Sequence, residues 1–313
     1  MGKKIKILSI DGGGVRGIIP ARVMQAIEEK AGKPLSELFD YFVGTSTGGL
    51  LALGVATPDK NGKPKYTAAE GVQFFFQYGH EIFPQHWWNN FRQIYTYKYK
   101  SAPFEAILRE WFGNMTMGDC LKDTLITSYA TNMARPKFFK SWDEYDRKFA
   151  VHDVARATSA APTFFEPVQL MNGNYKVTLV DGGVFANNPA MCGLSDAKKR
   201  SGDIMLDDYM VVSLGAGETD YSFTRGNVVY WGAIQWMTGL RILHLFLDGS
   251  VDAVSYQLRE MLGKGDFYRL QIPLTEKLSS MDDSRNIPEL LKMGEALIKE
   301  QDAILDEIVE KLL

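Results

Sequence analysis

Residues 41–56 read YFVGTSTGGLLALGVA. Three apolar residues run into the turn Gly44-Thr45-Ser46-Thr47-Gly48, and an apolar run leaves it. An exit apolar on all sides is the mark of a buried helix. A turn joining a central strand to a core helix belongs to an α/β sheet. Its spacing, G-x-S-x-G, also fits a strained turn that lifts a serine Oγ clear of the sheet and leaves N–H groups nearby for an oxyanion. A serine hydroxyl is a poor nucleophile until a base takes its proton, so the chain must supply one.

The same alternation recurs on either side of that turn. Upstream, IKILSI runs into Asp11-Gly12-Gly13-Gly14-Val15-Arg16-Gly17. A helix follows, with Pro20 in its first turn, Ile19, Val23 and Ile27 stacked at spacing four, and Gly32 and Pro34 to stop it. Downstream, KVTLV (176–180) reaches Asp181-Gly182-Gly183, and YMVVSL (209–214) closes on Gly215-Ala216-Gly217. Strands alternating with helices predict a mostly parallel sheet covered by helices on both faces. In such sheets the working loops gather at the strands' carboxyl ends, so the glycine-rich turns are expected along one edge.

The 313 residues are 45% hydrophobic and 23% charged, enough apolar mass for a sizeable core. Neither a linker nor a fixed-period repeat divides them, so one domain over 1–313 is expected. A net charge of −3 gives the chain as a whole no attraction for nucleic acid. Cys120 and Cys192 form neither a metal-ligand spacing nor a disulfide framework, and suit a reducing compartment. The N-terminal MGKKIKILSI is too poor in apolar residues for a secretory leader, and the expectation is a cytoplasmic protein. The stretch 228–247 has the length of a membrane span, but Gln235, Arg241 and His244 interrupt it and favour a buried or interfacial helix.

Four histidines could serve as the base, and none follows a predicted strand on a glycine turn. His244 alone follows Asp181, as the order Ser…Asp…His requires. Asp181 is better placed, ending an apolar strand before two glycines. A free aspartate is a weak base, but partial burial beside the serine raises its basicity. The GGGVRG loop is formally G-x-G-x-x-G, yet no acidic residue follows a clear second strand at about twenty residues, and no GK[ST] is present. Its successive N–H groups suit an acyl oxyanion equally well.

Taken together, DGGGVRG, GTSTG and DGG in that order resemble the patatin-like phospholipase family. The likeness extends through ARATSAAPTFF (155–165), VDGGVFANNP (180–189) and VVSLGAG (211–217), about residues 5–220 in all. Residues 221–313 are then a helical C-terminal extension of the same domain. The resemblance implies a three-layer patatin-like sandwich and a Ser–Asp dyad without histidine. Ser46 would be the nucleophile and Asp181 the base. Gly44, Thr45, Thr47 and Gly48 would form the elbow, and Gly182 and Gly183 complete the aspartate motif. Gly13 and Gly14 N–H groups would be the core of the oxyanion hole, supported by Gly12 and Arg16. It further implies a lipid acyl hydrolase acting on phospholipids or lysophospholipids, independent of calcium, with no metal and no cofactor.

Residues 74–104 are dense in aromatics, with no acidic residue between Glu81 and Glu105. Trp87, Trp88, Phe91, Arg92, Lys98 and Lys100 there suit peripheral contact with a membrane surface. The C-terminal run from Pro288 pairs apolar residues at 290/291, 297/298 and 304/305, a stripe that packs on the domain or, alternatively, joins a homodimer. The resemblance also admits a membrane-degrading effector switched on by a small molecule. The rival readings are a carrier- or CoA-dependent acyltransferase and a nucleotide-binding module using GGGVRG.

Overall fold

A computed structural model describes residues 4–85, 93, 95–173, 175–202, 204–219, 232 and 241–313, with the side chains of 172, 241–244 and 246 outside the description. Its strands are β1 (Ile5–Ile10), β2 (Tyr41–Gly44), β3 (Asp123–Ala130), β4 (Arg135–Lys140), β5 (Val168–Asn172), β6 (Tyr175–Asp181), β7 (Tyr209–Leu214), β8 (Glu218–Thr219), β9 (Phe267–Leu270) and β10 (Pro273–Leu274). The helices are α1 (Ile18–Ala31), α2 (Leu35–Leu38), α3 (Thr47–Val55), α4 (Ala68–Ile82), α5 (Ser101–Phe112), α6 (Val151–Thr158), α7 (Gly183–Ala186), α8 (Ala190–Ser201), α9 (Arg241–Met261), α10 (Ile287–Glu300) and α11 (Asp302–Leu312). None of the described helices is long and apolar enough to cross a membrane.

The main sheet runs β5-β6-β3-β2-β1-β7-β9, with β4 also on β3. Strands β3, β2, β1, β7 and β9 are parallel. Successive side chains of a strand point to opposite faces, and here both faces are buried. Leu8, Phe42 and Val212 pack with α1, α4 and α10, while Ile7, Val43 and Val211 pack with α8 and α9. The result is the expected three layers, helix, sheet and helix.

One flank departs from the expected parallel pattern. Strand β4 holds one edge of β3 along Leu125–Ala130. The other edge is shared by β2, beside Asp123–Ile126, and β6, which runs antiparallel beside Ser128–Ala130. Strands β2 and β6 therefore lie end to end, and their carboxyl ends face each other. The DGG turn does not cap a parallel strand, as the periodicity predicted, because an alternating pattern carries no direction. It comes down onto the GTSTG turn from the opposite side.

The C-terminal third is less purely helical than expected. Strand β9 extends the sheet beyond β7, and Gln301 breaks the apolar stripe into α10 and α11. Leu290, Leu297, Leu305 and Ile308 are buried in the core that includes α1, so the stripe packs on its own chain. Residues 228–231 and 233–240 of the apolar stretch lie outside the described residues, and 241–247 open α9.

Candidate active site

The GTSTG turn follows directly from β2, and its backbone has almost no spare room. A Cβ on Gly48 would stand 2.2 Å from Ile10 O, so only glycine lets α3 start this close to β1. Thr45 Oγ1 lies 2.6 Å from Thr127 Oγ1 and from Ala186 O, which fastens the turn to β3 and α7. Ser46 then sits at φ 54°, ψ −126°, a conformation a side chain rarely adopts. Its N–H donates to Thr158 Oγ1 at 2.9 Å, and the residue is partly exposed at the N-terminus of α3, lining the cavity there.

Asp181, the last residue of β6, is 5% exposed. Its Oδ1 accepts the Gly183 N–H at 2.7 Å, and the Ser46 hydroxyl in the same cavity lies near enough to pull its carboxyl down as a second donor. Burial pushes its carboxyl up to about 6, against the pull of those two donors. A base at that position is ionised at neutral pH yet more basic than a free carboxylate.

The first glycine loop lies on the other side of Ser46. Gly12 N–H is spent on Asn187 O (3.0 Å) and Val15 N–H on Met281 O (2.8 Å), so two donors that a phosphate would need are already engaged. The N–H groups of Gly13 and Gly14 have no acceptor among the described residues, and both glycines line the cavity beside Ser46. Gly14 is held at φ +58° with the Met281 carbonyl oxygen 2.0 Å from where a Cβ would be. Arg16 is buried behind the loop and does not line the cavity. Burial pushes the Asp248 carboxyl up to about 6 against the pull of the Arg16 charge.

Ser46, Asp181, Gly13 and Gly14 share one cavity of about 770 Å³. Phenylalanines 74, 83, 104, 164 and 165 form much of its wall. A pocket of that size with an apolar wall and a few convergent polar groups suits an extended apolar ligand with one reactive polar end. No described histidine lines it: His80 is hydrogen-bonded to Ser284 Oγ, and His152 to Gly113 O. His86 and the His244 side chain lie outside the described residues.

The patatin-like phospholipase family profile matches residues 8–192. This chain belongs to that family. Patatin-like protein 2 of Oryza sativa subsp. indica is 31% identical over 344 residues, covering 95% of this chain and 84% of that protein. Patatin-like protein 2 of Arabidopsis thaliana is 31% identical, with 95% and 84% covered, and Patatin-17 of Solanum cardiophyllum 31%, with 96% and 85%. The crystal structure of VipD from Legionella pneumophila superposes with a TM-score of 0.43 at 13% identity, over 96% of this chain and 67% of that one. At that level the likeness carries no argument.

Several residues of the patatin-like site escaped the sequence. A strap from Glu276 to Asp282 crosses the glycine loop and supplies the Met281 carbonyl. It is anchored by Asp282, whose Oδ2 accepts from Lys98 Nζ at 2.6 Å and from Tyr99 Oη at 2.7 Å. Lys98, expected to face lipid, is thus turned inward to an ion pair with both side chains largely buried. Lys100 is exposed, just ahead of α5. Trp87, Trp88, Phe91 and Arg92 lie outside the described residues. Thr158 sits in the ARATSAAPTFF segment, but nothing in that segment signals a bond to the Ser46 amide.

Proposed function

We propose that the protein hydrolyses fatty acyl esters of phospholipids or lysophospholipids, with Ser46 as nucleophile and Asp181 as its base. Family membership supports lipid acyl hydrolysis in general terms. The single observation that carries the finer reading is the Ser46 hydroxyl and the buried Asp181 carboxylate in one apolar cavity, beside two uncommitted N–H groups.

The reaction runs as two acyl transfers. Asp181 takes the Oγ proton as Ser46 attacks the ester carbonyl. Negative charge gathers on the carbonyl oxygen, where Gly13 and Gly14 N–H can donate, an arrangement worth a few kcal/mol of barrier lowering. As the tetrahedral adduct collapses, the protonated Asp181 gives its proton to the departing alcohol oxygen. Water then loses a proton to Asp181 and attacks the acyl-serine. The fatty acid leaves and the proton returns to Oγ. A first helical turn of α3 below Ser46 adds a favourable dipole to each anionic adduct.

The substrate of such a reaction sits in a bilayer, so this reading includes transient docking of the cavity mouth on a membrane from the cytoplasmic side. Half-exposed Val184, which lines the cavity, suits that contact. The test is to quantify fatty acids released from mixed phospholipid vesicles by wild type, Ser46→Ala and Asp181→Asn, with and without a chelator of divalent cations. Loss of at least about a thousandfold in both variants is expected, with no chelator effect. Acylated alcohols in place of free acid would point to transfer. Full activity in Asp181→Asn together with loss on replacing His244 would overturn the dyad.

A further inference from the structure

Leu50 and Gly54 fall at spacing four along α3 and so lie on one face of it, with Ser46 capping the helix ahead of them and its carbonyl accepting the Leu50 N–H at 3.1 Å. Ser46 and Leu50 line the large cavity. Leu50 and Gly54 line a second, apolar cavity of about 30 Å³ that lies between α3, α4 and α5. Two side chains, Leu50 and Phe74, belong to both cavities and form the wall between them. The Phe74 ring is held in place by Trp111, edge-on at 4.9 Å, and by Tyr78 at 5.3 Å. Beyond the wall, the chain has glycine on both facing helices: Gly54 on α3 and Gly71 on α4. A Cβ on Gly54 would meet nothing within 4 Å.

We propose that Leu50 and Phe74 set the longest acyl chain the protein accepts, by closing a trench that would otherwise continue over Gly54. The inference rests on the hydrolase reading above. An acyl group on Ser46 Oγ extends along the Leu50 side of α3, where its neighbours are the phenylalanines of the large cavity. Its methyl end meets the Leu50–Phe74 wall. Behind that wall Gly54 leaves a void too small for more chain while the wall stands, and continuous with the trench once it is removed. Each further methylene buried there is worth about fourfold in kcat/KM.

The test is kcat/KM on p-nitrophenyl esters of graded acyl length, in wild type, Leu50→Ala and Phe74→Leu. The second variant keeps a branched aliphatic group against Trp111, and thermal melting identifies any variant that has not folded. In wild type kcat/KM is expected to rise with chain length and then drop. Both variants are expected to move the drop to longer chains by two methylenes or more. That raises the ratio of long- to short-chain activity by about fifteenfold. Adding Gly54→Leu to Leu50→Ala, which refills the space behind the wall, is expected to bring the drop back toward its original length. A folded Leu50→Ala or Phe74→Leu with an unshifted profile, or with uniform loss at all lengths, overturns the proposal. So does a shift that Gly54→Leu leaves untouched. Wild type that cleaves none of the esters, nor any vesicle lipid, would instead sink the hydrolase reading itself.

Discussion

Replacing Asp181 with asparagine should remove activity and add stability, and the two effects should part company with pH. In the fold, burial pushes this carboxyl up to about 6 from an ordinary value of 3.8. A carboxyl whose folded value is raised holds more protons folded than unfolded between those two pH values. Stability is therefore intact below about 4, drains as pH climbs through the window, and is lowest above about 6. Two units correspond to about 3 kcal/mol. Asparagine carries no charge to desolvate and keeps an oxygen for the Gly183 N–H, now 2.7 Å from Oδ1. The variant is thus expected to melt about 3 to 6 °C above wild type at pH 8 and close to it at pH 4.5. Hydrolysis falls by about a thousandfold or more. Scanning calorimetry of both proteins at pH 4.5, 6 and 8 measures the first effect, and release of p-nitrophenol the second. A melting difference that does not grow with pH, or a variant less stable than wild type at pH 8, would refute the claim that a charged, desolvated Asp181 strains the native state.

The same carboxyl sets the pH profile: kcat/KM on a soluble ester should fall about tenfold per unit below pH 6 and stay level above it, and a limb centred a unit higher would implicate another base. Gly14→Ala places a methyl against Met281 O and forces a side chain into φ +58°, so kcat should drop about a hundredfold. Gly32→Ala shares the positive φ without the clash, and should cost about 1 kcal/mol of stability with activity intact. Asp282→Ala releases the strap from Lys98 and Tyr99, and is expected to lower kcat more than it raises KM; unchanged kcat would show that the strap does not hold the glycine loop.

The parts of the site legible in the sequence are those that short-range sterics dictate. The GTSTG turn announces itself because close backbone approach demands glycine at fixed offsets from the serine. Asp181 stands out because a charged residue ends an apolar run before two more glycines. The direction of β6 was not legible, since alternation reads the same from either end, and that direction is what brings Asp181 to Ser46. Strand β9 is four residues long with two of them buried, too short to separate from the helices around it. The strap left no trace at all: its contact with the loop is a main-chain carbonyl, which any residue at 281 could offer. The inward turn of Lys98 depends on Asp282, 184 positions away, and composition around 74–104 suggested the reverse.

That strap also fixes when in its own synthesis the candidate site can be completed. Every recognisable motif has been synthesised by about residue 220, and chains fold from the N-terminus as they emerge. Until Met281 follows, however, Gly14 lacks the carbonyl that closes over it, and until Phe267–Leu270 arrives β7 is an open edge. A nascent chain accordingly lacks a finished site through most of its translation, and a truncation ending before residue 266 should release no fatty acid from an ester that the full chain cleaves.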